Sequence, residues 1–476
     1  MNTEEFRRLG HELVDWIANY RDQVYRGELP VMPNTSPGSL LRALPAAPPL
    51  QPEAPQKLLA DVDRLILPAC SHWLSPRFFG YFPSNSSLAA VLGDFLSTGL
   101  GQLGLNWQAS PALTELEERV IDWFRQMLGL SASWNGVIQD TASTGALVAL
   151  ICARERSTAY GATRGGLQSE RAPLVIYTSS QSHSSVEKAA LLAGFGREYI
   201  RQVPVDERFC MRAPQLQRMV TEDRARGWQP CAVVATTGST SVTAIDPLEE
   251  LAAIAREQRI WLHVDAALAG SAMILPECRH LWSGVESADS LVINPHKWLG
   301  ASFDCSTYFV RDPEHLVRVM STNPSYLRTA ADSQARSYRD WGIPLGRRFR
   351  ALKLWFLIRE QGVSGLQARL RRDLEHAQWL AARVDGTPPW RRVAPVPLQT
   401  VCVRHEPAGL SGDALDTHTL AWVRRINESG VAYLTPALLD GRWMVRVALG
   451  GEATERTHVE QLWKLMQEEA GRGAAS

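Results

Sequence analysis

Phe6, Leu9, Leu13, Trp16, Ile17 and Tyr20 recur at three- and four-residue steps, so residues 3 to 20 carry one apolar stripe and read as an amphipathic helix. Thr3 is placed to cap it, with Glu4 and Glu5 in the first turn. The pattern then breaks. Residues 29 to 56, LPVMPNTSPGSLLRALPAAPPLQPEAPQ, are crowded with proline and predict a stiff, extended connection with little regular structure. A helix followed by such an arm suits an element that wraps over a neighbour; packing on its own domain is the alternative.

In the middle of the chain, short apolar runs alternate with helix-length segments. The runs are PLVIYT (173 to 178), CAVVATT (231 to 237), IWLHVDA (260 to 266), SLVIN (290 to 294) and STYFV (306 to 310). Segments such as SSVEKAALLAGF and LEELAAIAREQ lie between them. This alternation predicts an α/β layer with a mostly parallel sheet, in which ligands bind beyond the carboxyl ends of the strands. From about residue 345 helical segments dominate, and short strands (LQTVCVRH, WMVRVAL) with a closing helix predict a smaller C-terminal α+β domain. The divisions expected are 1–85 for the N-terminal helical, proline-rich arm, 86–360 for a large α/β domain and 361–476 for the small domain.

Composition narrows the function. Of 476 residues, 45% are hydrophobic and 21% charged, with 50 basic residues balancing 50 acidic ones. A net charge of zero argues against nucleic acid or an anionic membrane as partner. No apolar run approaches the roughly 20 residues that span a bilayer. The opening MNTEEFRRLGHELVDW is charged, unlike a signal peptide. Seven scattered cysteines without a CxxC pair fit reduced thiols in a cytoplasmic enzyme, and no metal site is expected.

Two motif matches fail on context. GLGQLG (Gly99, Gly101, Gly104) follows a helical segment, and Pro111 comes too soon for a dinucleotide-binding helix. Ser185 and Lys188 match SxxK, with no further hydrolase motif beside them.

Four features combine instead. DTASTGALVALICARER (140 to 156) places Thr141, Ser143 and Thr144 at the mouth of an apolar helix, where free N–H groups can hold a phosphate or be capped by a hydroxyl. His183 follows the strand ending at Thr178, where a ring can lie over a flat ligand or simply face solvent. Asp265 ends an apolar strand, with small Ala266 and Ala267 after it, and can hold a proton on a ring nitrogen. Lys297, in VINPHKWLG, follows another strand and can condense with an aldehyde. A phosphate cradle, a stacking histidine, a carboxylate and an imine-forming lysine make up a pyridoxal 5'-phosphate site.

The same blocks carry a resemblance. EFRRLGHELVDWIANY, SHWLSPRFFGYFPS, ASPALTELE, GVIQDTAS, SHSSVEKA, HVDAALAGSA, NPHKWLG, FDCS and DWGIPLGRRFRALKLWF occur in that order over nearly the whole chain. Together they resemble the pyridoxal-phosphate-dependent group II decarboxylases, close to the aromatic-L-amino-acid (dopa) decarboxylases. The resemblance implies the PLP-dependent transferase fold type I, of the aspartate-aminotransferase kind, and a homodimer with active sites at its interface. It also implies that the N-terminal arm embraces the partner.

By the same resemblance, Lys297 carries the cofactor as a covalent aldimine, and Asp265, supported by Thr240, pairs with its ring nitrogen. His183 stacks on one face, with Ala267 on the other, and Thr141, Ala142, Ser143, Asn294 and His296 hold the phosphate. Trp73, Tyr81, Phe82, Pro83 and Ser84 line the substrate pocket, joined by Leu103 and Leu105 from the partner. Tyr338, in a polar segment that reads as a mobile lid, is the general acid that reprotonates the substrate. A tyrosine there goes with decarboxylation to the amine, and a phenylalanine with oxidative conversion to an aldehyde. Gly346 goes with a pocket roomy enough for catechol or indole. Leu105 departs from the phenylalanine common in animal dopa decarboxylases, and Leu74 replaces a histidine. The expected activity is decarboxylation of an aromatic L-amino acid such as dopa, tryptophan, 5-hydroxytryptophan, phenylalanine or tyrosine. The competing readings are an aromatic aldehyde synthase and a non-catalytic dimeric binding protein of the same fold.

Overall fold

A computed structural model describes residues 1–322 and 334–472. By their contacts they group into two compact units, one of residues 84–374 with 394–400, the other of residues 1–83 with 375–393 and 401–476. These boundaries differ from those drawn on the sequence. Residues 1–83 group with the C-terminal residues, and the helical residues 361–374 with the larger unit.

The larger unit is built on a seven-stranded sheet: β1 (Asn135–Gln139), β2 (Leu174–Ser179), β3 (Ile200–Val203), β4 (Gln229–Thr236), β5 (Trp261–Asp265), β6 (Ser290–Ile293) and β7 (Ser306–Val310). Its order is β1-β7-β6-β5-β4-β2-β3. Neighbours from β6 through β5, β4 and β2 to β3 run parallel, and β7 runs antiparallel to both β6 and β1. Strands β2, β5, β6 and β7 are buried along their whole length, as a sheet covered on both faces requires. Their continuous apolar runs made them legible in the sequence. β1 and β3 were missed because NGVIQ holds only two apolar residues and IRQV is a four-residue edge strand with a polar centre.

Tight packing seats the Ala142–Ser157 helix on this sheet. A Cβ on Gly145 would stand 2.8 Å from Val292 Cγ2. Gly101, at φ +60°, ends the Leu88–Leu100 helix, and a Cβ on Gly104 would stand 2.9 Å from Leu113, so that glycine run serves close backbone packing. The long helix Ala351–Asp385 is interrupted at Gly362, whose φ and ψ are 65° and 166°.

The smaller unit has a four-stranded sheet, β10-β11-β9-β8, from β8 (Trp390–Arg392), β9 (Thr400–His405), β10 (Thr435–Leu439) and β11 (Arg442–Ala448). Helices Gly412–Glu428 and Arg456–Gly471 belong to it. The first helix runs from Thr3 to Arg26, and Asn2, not Thr3, caps it through a reciprocal pair with Glu5. The proline-rich stretch holds one short helix, Ser39–Ala43, and the start of another at Pro55. It is fastened within this unit by hydrogen bonds from Val31 N–H to the Gly430 carbonyl and from His72 N–H to the Val31 carbonyl. No helix among the described residues is long and apolar enough to cross a membrane.

Candidate active site

The parallel strands of the larger unit end on one side, and the singled-out residues gather there. β1 delivers the chain to Thr141, the N-cap of the Ala142–Ser157 helix. Thr141 is extended, yet its side chain caps no helix N–H. Its hydroxyl is thus not spent on the capping role that rivalled phosphate binding. Ala142 is buried, Thr141 half-buried and Ser143 exposed, at a helix end whose N–H groups and partial positive charge suit an anion.

β2 leads to His183, the N-cap of the Ser184–Leu192 helix. Its Nδ1 accepts from Ser185 N–H at 3.1 Å and lies 2.7 Å from Ser185 Oγ, which holds the ring by one edge. Burial lowers the basicity of His183, the Asp265 carboxylate raises it and the Lys297 charge lowers it again. The net shift is downward, so the ring is neutral near pH 7 and can stack on a flat ligand without bringing a charge.

Asp265 closes β5 and is buried. One carboxylate oxygen accepts from Ala267 N–H at 3.1 Å, while the Asp265 carbonyl accepts from Thr237 N–H at 2.9 Å. Ala267 in turn accepts from Asn294 N–H at 3.0 Å, so the ends of β5 and β6 are cross-tied. Thr240, expected to support Asp265, stands in an exposed turn, and no hydrogen bond among the described residues joins the two. Thr236, paired with Asp265 across the sheet, and Thr237 are its neighbours from that segment.

β6 ends at Ile293, and Asn294, His296 and Lys297 follow. Asn294 is buried, and its side-chain oxygen has no hydrogen-bond partner among the described residues. His296 Nδ1 accepts from Cys305 N–H at 3.0 Å, and burial, with Lys297 beside it, pushes the ring down to about 4. A neutral ring with Nδ1 as acceptor carries its proton on Nε2 and offers a donor there. Lys297 is half-buried in a π-type turn, Pro295–Leu299, with φ and ψ of −96° and −109°. These features fit pyridoxal 5'-phosphate: an uncommitted threonine hydroxyl at a helix start, a histidine N–H donor, a buried carboxylate and a lysine.

Among the proposed pocket residues, Trp73 stacks on Phe78 at 4.5 Å and on Tyr81 at 5.4 Å between ring centroids. Tyr81 has φ +48° and is held there by three partners in the smaller unit. Its N–H donates to Thr435 Oγ1 (2.6 Å), its carbonyl accepts from Arg446 (3.2 Å) and its hydroxyl meets that of Tyr433 (3.2 Å). Phe82 is buried, with the Arg446 guanidinium 4.8 Å from its ring centroid. Pro83 is buried and Ser84 half-buried.

In the larger unit, Leu103 is exposed and Leu105 half-buried. Reciprocal backbone bonds between Gly104 and Arg347 bring Leu103 beside Gly346, where a Cβ would stand 3.1 Å from Leu103 Cδ1.

Tyr338 belongs to the core cluster that also holds Ala142 and Val292. It sits in a 3-10 turn, Tyr338–Trp341, with its ring against Trp341 and the Arg347 guanidinium 5.1 Å from its centroid. It is buried, and the charges that act on it are Glu117, Arg336 and Glu118. Burial raises its hydroxyl well above the usual phenol range, so the hydroxyl keeps its proton. Residues 330–333 of the expected lid lie outside the described residues.

Sequence reading missed several neighbours. His263, two residues before Asp265 on the same strand face, was legible by alternation; its Nδ1 lies 2.8 Å from Ser290 Oγ. Tyr433, Arg446, Asn85 and Arg369 had no local signal.

Comparison with known proteins is consistent with this geometry. Residues 37–406 match the family profile described as pyridoxal-dependent decarboxylase conserved domain. The chain is 40% identical over 483 residues to an aromatic-L-amino-acid decarboxylase of Bos taurus, covering 99% of this chain and 97% of that one. It is also 40% identical over 481 residues to a phenylacetaldehyde synthase of Arabidopsis thaliana, covering 99% and 96%. Among solved structures, the Oryza sativa TDC with PLP and tryptamine superposes with a TM-score of 0.96 at 35% identity, covering 99% of both chains.

Proposed function

This chain belongs to the pyridoxal-dependent decarboxylase family, and from that premise we propose that it converts an aromatic L-amino acid to its arylalkylamine and carbon dioxide. Its sheet is that of the PLP-dependent transferase fold type I, and its cofactor is pyridoxal 5'-phosphate. The observation that carries the reading is the convergence of His183, Asp265 and Lys297, close enough that the carboxylate and the ammonium both act on the imidazole, after burial, the larger effect.

When bound, the cofactor supplies an electron sink for the pair of electrons left by the departing carboxylate. The chain's own residues supply the rest. Thr141, Ala142 and Ser143 at the helix start, with Asn294 and His296 Nε2–H, hold the phosphate. Asp265, fixed by Ala267 N–H, keeps a proton on the ring nitrogen. His183, neutral and anchored by Ser185, covers one face of the ring, and Ala267 leaves room on the other. Lys297 would hold the aldehyde through its amino group. By the family resemblance, Trp73, Tyr81, Phe82, Pro83 and Ser84 would receive the aromatic side chain, and a glycine at position 346 goes with a large one. Tyr338, whose burial keeps its proton in place, donates it to the substrate α-carbon once the 334–342 segment presents the hydroxyl there.

Relatives of both product types resemble the chain equally in identity; what favours the amine over the aldehyde is the family resemblance, by which a tyrosine at position 338 goes with decarboxylation. Product analysis on a panel of aromatic amino acids tests this: amine with carbon dioxide supports the proposal, and peroxide with ammonia and aldehyde supports the synthase.

We further propose a homodimer. Leu88, Leu92, Phe95, Leu96, Leu100 and Leu103 are all exposed along one helix and the loop after it, an apolar surface that a second copy would cover. Sedimentation of the holoprotein at twice the chain mass supports this, and a monomer at micromolar concentration contradicts it. The seven free cysteines support a reducing, cytoplasmic location.

A further inference from the structure

The turn that carries Lys297 has its last carbonyls taken by side chains. In a continuing helix the carbonyls of Lys297, Trp298 and Leu299 would accept from N–H groups four residues on. Here the turn stops at Gly300, and Ala301 N–H bonds back to the Pro295 carbonyl at 3.0 Å. Three consecutive carbonyls in a buried region would be orphaned, at the cost of burying unpaired polar groups.

Side chains take all three. Asn85 Nδ2 donates to the Lys297 carbonyl at 3.2 Å. Arg369 Nη1 donates to the Trp298 carbonyl at 2.9 Å, and its Nη2 to the Leu299 carbonyl at 2.5 Å. One planar guanidinium thus spans two successive carbonyls, a geometry that a lysine ammonium cannot copy.

A second contact holds the same turn. Asp373 lies one helical turn after Arg369 on the Ala351–Asp385 helix and pairs with Arg372 at 3.2 Å. Asp373 Oδ2 accepts from Trp298 Nε1 at 2.8 Å. Trp298 and Asp373 are fully buried and Arg369 nearly so. The residue beside the lysine is therefore gripped at its carbonyl by Arg369 and at its indole by Asp373. Gly300 completes the fit. It adopts φ +101°, and a Cβ there would stand 3.1 Å from Arg369 Nη2, so a side chain would press on the guanidinium.

Carbonyl capping by arginine is common where a helical turn ends. Two features set this case apart. The gripped residues directly follow the reactive lysine, and the backbone at Lys297 itself leaves the helical region. A lysine on a departing, non-helical backbone aims its ammonium by whatever fixes the carbonyls next to it.

We propose that Arg369 is a positioning residue for Lys297, fixing the turn, with Asp373 on the Trp298 indole, so that the Lys297 amino group meets the cofactor aldehyde in one orientation. This rests on the assignment of Lys297 as the cofactor lysine. Loss of the clamp leaves the phosphate contacts in place and loosens the lysine, so the bond to the aldehyde forms less often and breaks sooner.

The test compares the holoprotein with Arg369→Lys and Asn85→Ala. The readouts are the rate of cofactor release to a scavenger, the pH midpoint of the visible band of the lysine-bound cofactor, and the melting temperature of the cofactor-free protein. Arg369→Lys keeps the charge and loses the fork; release is expected about tenfold faster, with a shifted midpoint. Asn85→Ala removes one of the three carbonyl contacts, and a smaller acceleration, about threefold, is expected. A role in folding alone would lower the melting temperature and leave release and midpoint unchanged, which overturns the proposal in whichever of the two variants folds. Absence of the visible band in the unmodified holoprotein removes the lysine assignment and this inference together. A band with unaltered release in the variants removes this inference alone.

Discussion

The backbone N–H of Cys305 donates to Nδ1 of His296 at 3.0 Å, which fixes the tautomer of a buried ring one residue before the reactive lysine. With that ring held at about 4 by burial and by Lys297, the folded protein binds fewer protons than the unfolded chain between about pH 6.5 and about pH 4. The stability contributed at this site is present in full above the upper limit and is lost as the pH falls through the window. His296→Gln should therefore reduce the fall in melting temperature of the cofactor-free protein between about pH 7.5 and about pH 5. A fall equal to the parent's would contradict the buried, neutral state of His296.

Lys297→Ala should abolish turnover and the visible absorbance of bound cofactor, because the amine proposed to bind the aldehyde is gone. Retention of the band would place the cofactor on a different residue.

Tyr338→Phe should lower amine yield and raise aldehyde and peroxide, since the phenol that returns the proton is gone and the ring seat beside Trp341 and Arg347 is kept. An unchanged product ratio would take Tyr338 out of the mechanism.

Gly346→Ser should act on the size of the pocket. The new Cβ would stand 3.1 Å from Leu103 Cδ1, so the leucine must move or the loop must shift. Specificity for L-tryptophan relative to L-tyrosine is expected to fall about tenfold, or ~1.4 kcal/mol in transition-state binding. Steady-state kinetics on both substrates checks it, and an unchanged ratio would remove Gly346 from the pocket.

Much of this was legible in residue order. β2, β5, β6 and β7 read as strands because both faces of a covered parallel sheet demand continuous apolar runs, and His183, Asp265 and Lys297 followed as polar residues at helix starts or strand ends. Other features depend on tertiary contact. β3 is half polar because it lies at a sheet edge, and the Trp298–Asp373 contact joins residues 75 apart. Thr240 was expected beside Asp265 and stands in an exposed turn instead, because β4 ends at Thr236 and presents Thr236 and Thr237 to the aspartate. Tyr338 carries the least local signal. Its burial against Trp341 and Arg347 is a tertiary contact that no spacing rule indicates.

The central claim is decarboxylation to an amine at Lys297. Its most direct measurement is carbon dioxide, amine and peroxide quantified together after the holoprotein meets L-tryptophan, L-tyrosine, L-phenylalanine and L-dopa. The account predicts amine and carbon dioxide in equal amounts from at least one of these, without peroxide, and none from the Lys297→Ala variant. Absence of carbon dioxide from all four, or aldehyde with peroxide as the main products, would contradict it.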